Sequence, residues 1–388
     1  MSDPKQWDFI PGEPRYSPSL IPHLNGNFPW KKDDNFMLAF SKVLADIRKI
    51  CNSKKGIPFV LPGSGSFALE FAVANLLESE DIALVVGDGS SSQFLAGIAR
   101  NFANAVDMLS TEENALPLEQ RLSAKLEEKP YKVVLVPHVE MSTGTLMPID
   151  NVEGVVREFK AFLIIDAHAS FGVHEIPKTD VITAGSNWGL GAPPGLSIVL
   201  AHERVLEERK NRTENDLGRY LDMLTWAPVM ENYLACEVIP PVSVPTLPIN
   251  ALACTLNEIT KDLEQYQQKH ARFSRILRTA LTKMGIELVQ ENQELAAWTF
   301  TVFRLPEDIK PGSFISTASK LGLRLDRPSK GKDTREISVG HAGYLPDDDL
   351  LSLLFHLEKA FTKAGIELQE SGLGYAATAL HGKPEDSD

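Results

Sequence analysis

The 388-residue sequence has only three cysteines, Cys51, Cys236 and Cys254, which lie far apart and lack the spacing of a metal site. An odd number of separated cysteines predicts buried or idle thiols in a reducing compartment, not a disulfide framework. No apolar run approaches the roughly 18 residues that suggest a membrane span, and the first residues open no apolar stretch of the signal-peptide kind. We therefore expect a cytoplasmic protein without a membrane partner.

Basic residues are also in deficit. Lys and Arg total 39 against 52 Asp and Glu, which gives a formal net charge of −13. No block of Lys and Arg stands out, so the composition gives no reason to expect a nucleic-acid partner. With 43% hydrophobic and 23% charged residues, the chain is typical of a globular protein large enough for two domains around substantial cores.

Apolar segments of strand length alternate with segments of helical periodicity up to about residue 250. Strands made almost entirely of apolar residues, such as Phe162-Leu163-Ile164-Ile165, predict an α/β fold with a mostly parallel sheet that helices cover on both faces. A long helical pattern from about residue 251 to 284 then leads into a mixed region. The predicted divisions are an N-terminal arm (1–30), a large α/β domain (31–250), a connecting helix with a small C-terminal α+β domain (251–371) and a flexible tail (372–388).

Ligands of such sheets bind where the strands reach their carboxyl ends. One candidate is Gly63-Ser64-Gly65-Ser66, which lies between a predicted strand and a predicted helix. Exposed amides and hydroxyls at a helix N-terminus form an anion site. A Gly/Ser turn with Ser66 as helix cap explains the same residues equally well, so both interpretations stay open.

Asp166 follows the apolar strand that ends at Ile165. A carboxylate there is unfavourable unless it is paired, which indicates either a site residue or a structural hydrogen bond. His168 comes two residues later, on the same face of the strand end. It is interpreted either as a buried histidine that a neighbour satisfies, or as a base or stacking partner in a pocket.

Other polar residues fall on loops at the same end of the predicted sheet. A metal site is conceivable from four of them, but no spacing signature supports it, and we predict no metal. The four residues are His138, Glu140, His168 and His174.

The most distinctive stretch runs from Val181 to Ala201 and reads as a strand, a sharp turn and a second strand. Three motifs carry a resemblance to the class V aminotransferases, the alanine–glyoxylate group of pyridoxal-phosphate (PLP) enzymes. They are Gly63-Ser64-Gly65-Ser66, His138-x-Glu140-x-Ser142-Thr143-Gly144, and Gly185-Ser186-Asn187-Trp188 with Gly191-Ala192-Pro193-Pro194-Gly195. The resemblance covers nearly the whole chain. It implies PLP-transferase fold type I and a homodimer with its site at the subunit interface.

The resemblance also implies roles for individual residues. The family's phosphate-binding loop matches Ser64, Gly65 and Ser66, and its aspartate that pairs with the pyridine nitrogen matches Asp166. An amide that often binds the same phosphate matches Asn187. A hydroxyl residue that the neighbouring subunit contributes matches Ser243.

Three positions depart from the family pattern, and each removes a different function. Trp188 replaces the lysine that holds PLP as a Schiff base. Ser91 occupies the position of the aromatic residue that stacks on the pyridine ring. Ser338, just before Val339-Gly340-His341-Ala342-Gly343, replaces the arginine that grips the substrate carboxylate. Arg335 is a poor substitute, because three residues along a strand it points to the opposite side.

These departures predict a class V aminotransferase-like protein that is not a conventional transaminase and that binds a phosphate-bearing or acidic small molecule, or serves as a partner subunit. The first alternative is a lysine-independent enzyme that holds PLP or pyridoxamine phosphate non-covalently and uses His168 as base. The second is an aminotransferase with a relocated lysine, for which Lys178 and Lys330 are the candidates. The sequence alone leaves the cofactor open.

Overall fold

The computed structural model describes residues 7–25, 34–111, 117–149, 151–214, 217–237, 244–328 and 335–381. The strands are β1 (Trp7–Asp8), β2 (Ile57–Pro62), β3 (Ile82–Val86), β4 (Ala105–Leu109), β5 (Tyr131–Pro137), β6 (Val139–Glu140), β7 (Thr145–Leu146), β8 (Phe162–Asp166), β9 (Val181–Gly185), β10 (Leu196–Ala201), β11 (Glu287–Leu288), β12 (Phe300–Arg304), β13 (Leu323–Arg324) and β14 (Glu336–Gly340).

Helices alternate with these strands along most of the chain. They are α1 (Ile21–Asn25), α2 (Asp34–Ile50), α3 (Gly65–Leu76), α4 (Ser90–Ala99), α5 (Leu118–Glu128), α6 (Val152–Glu158), α7 (Glu203–Asn211), α8 (Met223–Ala235), α9 (Thr246–Ile259), α10 (Leu263–Lys283), α11 (Pro311–Lys320), α12 (Asp347–Lys363) and α13 (Gly372–His381).

Within the described residues, seven strands form the central sheet in the order β2-β10-β9-β8-β5-β3-β4. Strands β9, β8, β5, β3 and β4 pair in parallel, and β10 runs antiparallel to both of its neighbours. The central strands are buried on both faces, as near-continuous Val, Ile and Leu dictates. The predicted α/β architecture with a mostly parallel sheet is confirmed.

The parallel pairing places the ends of β8 and β9 at one edge of the sheet. Asp166 at the end of β8 pairs in register with Thr183 of β9, and Gly185 ends β9. The N-terminus of α3, directly after β2, begins beside this edge, because Gly65 lies against Gly185. The candidate motifs of the sequence therefore meet at the carboxyl ends of the strands.

A second core lies in the C-terminal third. The antiparallel strands β11, β12 and β14 form a sheet in that order, and apolar residues of α10, α11 and α12 cover it. A smaller apolar cluster lies between the two cores and includes Val139, Trp188 and Phe300. The predicted boundaries at residues 30, 250 and 371 stay predictions.

Two local expectations are wrong. The helical pattern from 251 to 284 is two helices, α9 and α10, because Asp262 interrupts it and accepts a hydrogen bond of 2.9 Å from the Gln265 amide as the cap of α10. The tail is not loose from 372 to 381, where α13 forms. The Glu358 carboxylate of α12 accepts the Leu373 amide at 2.9 Å and so caps α13. Among the described residues, no helix has the length and apolar character needed to cross a membrane.

Candidate ligand-binding site

Asp166 is paired within the protein. Its Oδ1 accepts a hydrogen bond of 3.1 Å from the Thr183 hydroxyl and lies 3.1 Å from Nδ1 of His168. These two partners offset the loss of hydration at the end of a buried strand. The predicted structural hydrogen bond and a site role for Asp166 are thus compatible, since the carboxylate both accepts from β9 and orients an imidazole.

His168 lies against the N-terminus of α3. A methyl group built on Gly65 would be 1.4 Å from Nε2 of His168, and one built on Gly185 would be 3.3 Å from the same atom. Nε2 makes no hydrogen bond within the described part of the chain, and the side chain keeps 21% of its surface exposed. The imidazole therefore has one nitrogen held by Asp166 and one that is open to a ligand or to water.

Ser64 and Ser66 are both exposed beside this imidazole, at the start of α3. Ser64 is the N-cap residue, but its side chain makes no cap hydrogen bond, and its carbonyl accepts the Ser197 hydroxyl at 2.5 Å. The first amides of a helix lack partners inside the helix and carry partial positive charge. Amides and hydroxyls at this end of α3 are suited to an anion.

The side-chain amide of Asn187 is bonded to the N-terminal arm, not to a group at this end of α3. Its Nδ2 donates a hydrogen bond of 3.0 Å to the carbonyl of Gly12 in the N-terminal arm. The expected phosphate contact of Asn187 thus competes with the arm, whose position no sequence pattern revealed. Ser243 and Lys330 lie outside the described residues.

Trp188 opens a short 3₁₀ turn, Trp188–Leu190, directly after β9. Its φ of +51° is uncommon for a residue other than glycine. The side chain is only 6% exposed. Its ring meets Phe300 edge-on at 5.8 Å between centroids and is 3.2 Å from a methyl group built on Gly12. The indole is therefore a packed wall between the sheet edge, the arm and β12.

Ser91, at the position of the family's stacking aromatic residue, makes hydrogen bonds to the segment around Glu140 and presents no ring. Its amide donates to Glu140 Oε1 at 3.0 Å, and its hydroxyl accepts the Met141 amide at 2.9 Å. The Glu140 carboxylate also accepts the Ser142 hydroxyl at 2.8 Å and lies across the N-terminus of α4. Glu140 therefore acts as an internal anion that neutralises this helix end.

Ser338 is buried on β14, and among the described residues its side chain bonds only to backbone. Its amide and its hydroxyl both donate to the carbonyl of Asp326, at 2.8 and 3.1 Å. Next to it, a cavity of about 340 Å³ opens beside Trp188. Sequence reasoning missed most of its lining, because the residues come from separate parts of the chain. They are Pro11, Met141, Trp188, Phe300, Asp326, Arg327, Pro328 and Ser338.

The histidines considered for a metal have other partners. His138 Nδ1 bonds to the Ser170 hydroxyl at 2.9 Å, and His174 Nε2 accepts the Trp298 amide at 3.0 Å. Burial lowers the pKa of His138 to about 4 and that of His174 well below its usual range. No group of three or more metal-ligand side chains occurs in the described ranges of the chain.

Comparison with known proteins gives a consistent picture. A family model described as aminotransferase class-V matches residues 31–215. An uncharacterized aminotransferase of Methanocaldococcus jannaschii is 28% identical over 329 residues, which cover 83% of this chain and 84% of that protein. Pyridoxamine–pyruvate transaminase of Mesorhizobium japonicum is 26% identical, with 84% of both chains covered.

Solved structures agree on the fold. Pyridoxamine–pyruvate aminotransferase from Mesorhizobium loti matches with a TM-score of 0.87 at 23% identity, covering 98% of each chain. Ureidoglycine–glyoxylate aminotransferase from Bacillus subtilis matches with a TM-score of 0.89 at 20% identity, covering 98% of this chain and 99% of that one. The expected PLP-transferase fold type I is confirmed.

Proposed function

Because the chain belongs to the class V aminotransferase family, we propose that it is a member that does not carry out conventional transamination and that binds a phosphate-bearing small molecule at the N-terminus of α3. One observation carries the proposal. At the end of β9, the position of the family's lysine, a buried indole packs on Phe300. Trp188 offers no amine for a Schiff base.

The other two departures support the same proposal. The Ser91 hydroxyl accepts a hydrogen bond from the Met141 amide, and a serine provides no ring to stack on a cofactor. Ser338 gives its hydroxyl to the Asp326 carbonyl, so it provides no cation for a substrate carboxylate. A covalently held PLP therefore does not fit these residues.

The residues at the start of α3 suit a phosphate group, whereas those at positions 91, 188 and 338 do not suit the ring and substrate of a PLP enzyme. The start of α3 keeps two exposed serines without a side-chain cap, Ser64 and Ser66. Because Gly65 has no side chain, the His168 ring can lie directly against the start of α3. Partly charged amides and hydroxyls at a helix N-terminus are what a phosphate needs, and His168 beside them adds a third donor when it is protonated.

A second candidate function is favoured by the contact between Asp166 and His168. In a lysine-independent enzyme, pyridoxamine phosphate would supply an amino group and an electron-withdrawing ring. Ser64, Gly65 and Ser66 would hold its phosphate. Asp166 would fix the imidazole through Nδ1, 3.1 Å away, and His168 would hold or move a proton at Nε2.

A relocated lysine receives no support at Lys178. The Thr179 hydroxyl donates to the Leu163 carbonyl at 2.8 Å, which ties this segment to the start of β8. Asp166 is at the other end of the same strand. At about 3.3 Å per residue, the two ends are roughly 10 Å apart along the sheet.

The proposal includes a homodimer in the cytoplasm. Support for the dimer comes from apolar side chains that the single chain leaves exposed, among them Ile21, Leu38 and Phe94, which are 53%, 62% and 48% exposed. The cytoplasmic location stays a prediction from the cysteines, which are free thiols.

The test is absorbance spectroscopy of the purified protein after addition of PLP, then of pyridoxamine phosphate, each followed by dialysis. We expect no stable band near about 410–420 nm that borohydride fixes to the protein. Such a band, or transamination of glyoxylate by alanine, would overturn the proposal. A retained band near about 330 nm after pyridoxamine phosphate selects the second candidate. In that case His168→Gln must lower turnover, and unchanged turnover would refute the role of His168 as base.

Phosphate binding is tested separately by calorimetric titration with pyridoxamine phosphate. Ser66→Ala removes one hydroxyl and is expected to weaken binding about 5- to 10-fold. Ser313→Ala, at an exposed serine in the first turn of α11, is the matched control and should bind like the unmodified protein. Equal affinity in both variants would place the phosphate elsewhere.

A further inference from the structure

We propose that Ser197 is a positioning residue of the anion site at the start of α3, and that its buried hydroxyl holds the Ser64 carbonyl so that the N–H of Gly65 is directed at the ligand. Ser197 acts through this peptide group and does not need to touch the ligand. The inference rests on the proposed function, because it concerns the same phosphate site. It adds a residue that lies outside the three sequence motifs.

Ser197 is the one polar residue of an otherwise apolar strand. The strand β10 reads Leu-Ser-Ile-Val-Leu-Ala, and every residue in it is buried. The Ser197 side chain is 0% exposed, and a buried hydroxyl needs a hydrogen-bond partner. Its Oγ donates to the carbonyl of Ser64 at 2.5 Å. The hydroxyl of this central-sheet residue is therefore committed to the loop that precedes α3.

The same loop is fitted closely to the start of β10. The Gly63 amide donates to the Gly195 carbonyl at 3.0 Å. A methyl group built on Gly63 would lie 2.8 Å from Oγ of Ser197, so the backbone passes directly over the hydroxyl. Ser197 pairs in register with Leu61 of β2 and with Gly185 of β9. The hydroxyl therefore lies between the two strands whose ends border the anion site.

The direction of the Ser64 carbonyl fixes the direction of the next amide. In a trans peptide the C=O and N–H bonds point to opposite sides, and the described chain has no cis peptide bond. Because the carbonyl is bonded to Ser197, the N–H of Gly65 points away from that hydroxyl. This amide donates to no acceptor among the described residues, as is usual in the first turn of a helix. Its nitrogen is 3.5 Å from a methyl group built on Gly185, a point that is 3.3 Å from Nε2 of His168.

The hydrogen bond from Ser197 also strengthens this donor. A carbonyl that accepts a hydrogen bond polarises its peptide group, which makes the N–H of the same peptide a better donor. The Gly65 amide lies at the positive end of α3, where an anion binds. The hydroxyl of Ser197 therefore sets both the direction and the strength of one phosphate donor.

Calorimetric titration with pyridoxamine phosphate measures the effect on the site. Ser197→Ala removes the hydroxyl and should weaken binding about 5-fold, as for the loss of one neutral hydrogen bond. Ser197→Cys fills nearly the same space with a weak donor. It should weaken binding to a similar extent, which separates the lost hydrogen bond from lost volume. Unchanged affinity in both variants would overturn the inference.

Ser274→Ala is the matched control for a merely structural role. This serine of α10 is 1% exposed, and its hydroxyl also donates to a backbone carbonyl, that of Ala297, at 3.2 Å. Its loss removes a buried hydrogen bond of the same kind away from the anion site, so the affinity for pyridoxamine phosphate should equal that of the unmodified protein. If Ser274→Ala weakens binding as much as Ser197→Ala does, the effect is general destabilisation and the inference is wrong.

NMR observes the peptide group itself. The sequence has two Ser–Gly bonds, Ser64–Gly65 and Ser371–Gly372. Labelling serine with ¹³C at the carbonyl and glycine with ¹⁵N, in cell-free synthesis to prevent interconversion of the two amino acids, selects these two peptides. In the ligand-free protein, Ser197→Ala should move the Ser64 carbonyl signal upfield, because the hydrogen bond to it is lost, and should leave the Ser371–Gly372 signal in place. An unmoved Ser64–Gly65 signal would overturn the inference.

The ligand-free spectrum separates this inference from the proposed function. If pyridoxamine phosphate binds and shifts the Gly65 amide of the unmodified protein, and binds more weakly to Ser197→Ala, both stand. If it does not bind the unmodified protein, the phosphate site fails, and a Ser64 carbonyl signal that moves in Ser197→Ala still shows that Ser197 directs this peptide. If it binds the unmodified protein without moving the Gly65 amide, the phosphate lies elsewhere and Ser197 has no role in holding it.

Discussion

The imidazole of His168 covers the α-carbon of Gly65, so that a methyl group on Gly65 would lie 1.4 Å from Nε2 and 1.6 Å from Cε1. Asp166 holds the other ring nitrogen at 3.1 Å, so the ring has little freedom to turn away. Position 65 therefore needs glycine because of a side chain more than one hundred residues later.

Gly65→Ala should force this ring out of place and lower the free energy of unfolding by about 1–3 kcal/mol, the usual effect of overpacking. Gly97→Ala is the matched control. It lies in α4, where no atom of the described residues comes within 4 Å of the added methyl group, and alanine is the better helix former by up to about 1 kcal/mol. Urea unfolding of both variants measures the difference.

A double-mutant cycle shows whether His168 is the cause. In the His168→Ala background the clash is absent, so Gly65→Ala should cost much less than in the unmodified protein. The same cost in both backgrounds would contradict the contact between the two residues.

Glu140→Gln is expected to lower the free energy of unfolding by about 1–3 kcal/mol, because the carboxylate accepts amide and hydroxyl donors at the buried N-terminus of α4. The amide nitrogen of glutamine cannot accept them. Glu203→Gln, an exposed glutamate in the first turn of α7, is the control and should change stability by a few tenths of a kcal/mol at most. If Glu140→Gln lowers the free energy of unfolding no more than Glu203→Gln does, the carboxylate is not needed at this helix end.

Much of the fold was predictable because its signals are local. The apolar strand before Asp166 and the amphipathic face of α2, with Phe36, Phe40 and Val43 buried, follow from periodicity and from the avoidance of buried unpaired charge. The strand-end position of Asp166 beside His168 follows from the two-residue period of a strand. These inferences need only neighbouring residues.

The remaining features depend on pairs that are distant in sequence. Asn187 bonds to Gly12, 175 residues earlier, and so the arm takes an amide that the motif alone assigned to a ligand. Arg327 lines the cavity beside Asp326, whose carbonyl accepts the hydroxyl of Ser338 from β14, 12 residues later. The helix α13 forms because Glu358 caps it. No periodicity or spacing in the sequence encodes such contacts.

Tyr266→Phe is expected to loosen the turn that carries Trp188. The hydroxyl of Tyr266 donates to the Gly189 carbonyl at 2.5 Å and also lies 3.4 Å from the Gly343 carbonyl. Its loss removes a hydrogen bond to the Gly189 carbonyl and should lower the free energy of unfolding by about 1–2 kcal/mol, with a change in the tryptophan fluorescence of the protein. Tyr220→Phe, at a side chain 57% exposed, is the control. Equal stability of the two variants would show that the tether contributes nothing.

Stability should fall as the solution becomes acidic, because four histidines are buried in the neutral form. Burial lowers the pKa of His138 and His270 to about 4 and that of His341 to about 3, and lowers the pKa of His174 as well. The unfolded chain takes up protons below the ordinary value near 6.5, whereas the folded chain does not. The free energy of unfolding therefore decreases as pH falls through about 6.5, and the decrease from these groups ends near their folded pKa values.

Each neutral histidine should account for about 1.4 kcal/mol of the loss between pH 7.5 and pH 5.5. His138→Gln removes one of the four groups, so urea unfolding at the two pH values should show a pH dependence smaller by about that amount, whatever the variant's absolute stability. The amide of glutamine can still bond to the Ser170 hydroxyl, which His138 contacts at 2.9 Å. If His138→Gln keeps the full pH dependence of the unmodified protein, His138 is not held neutral by burial.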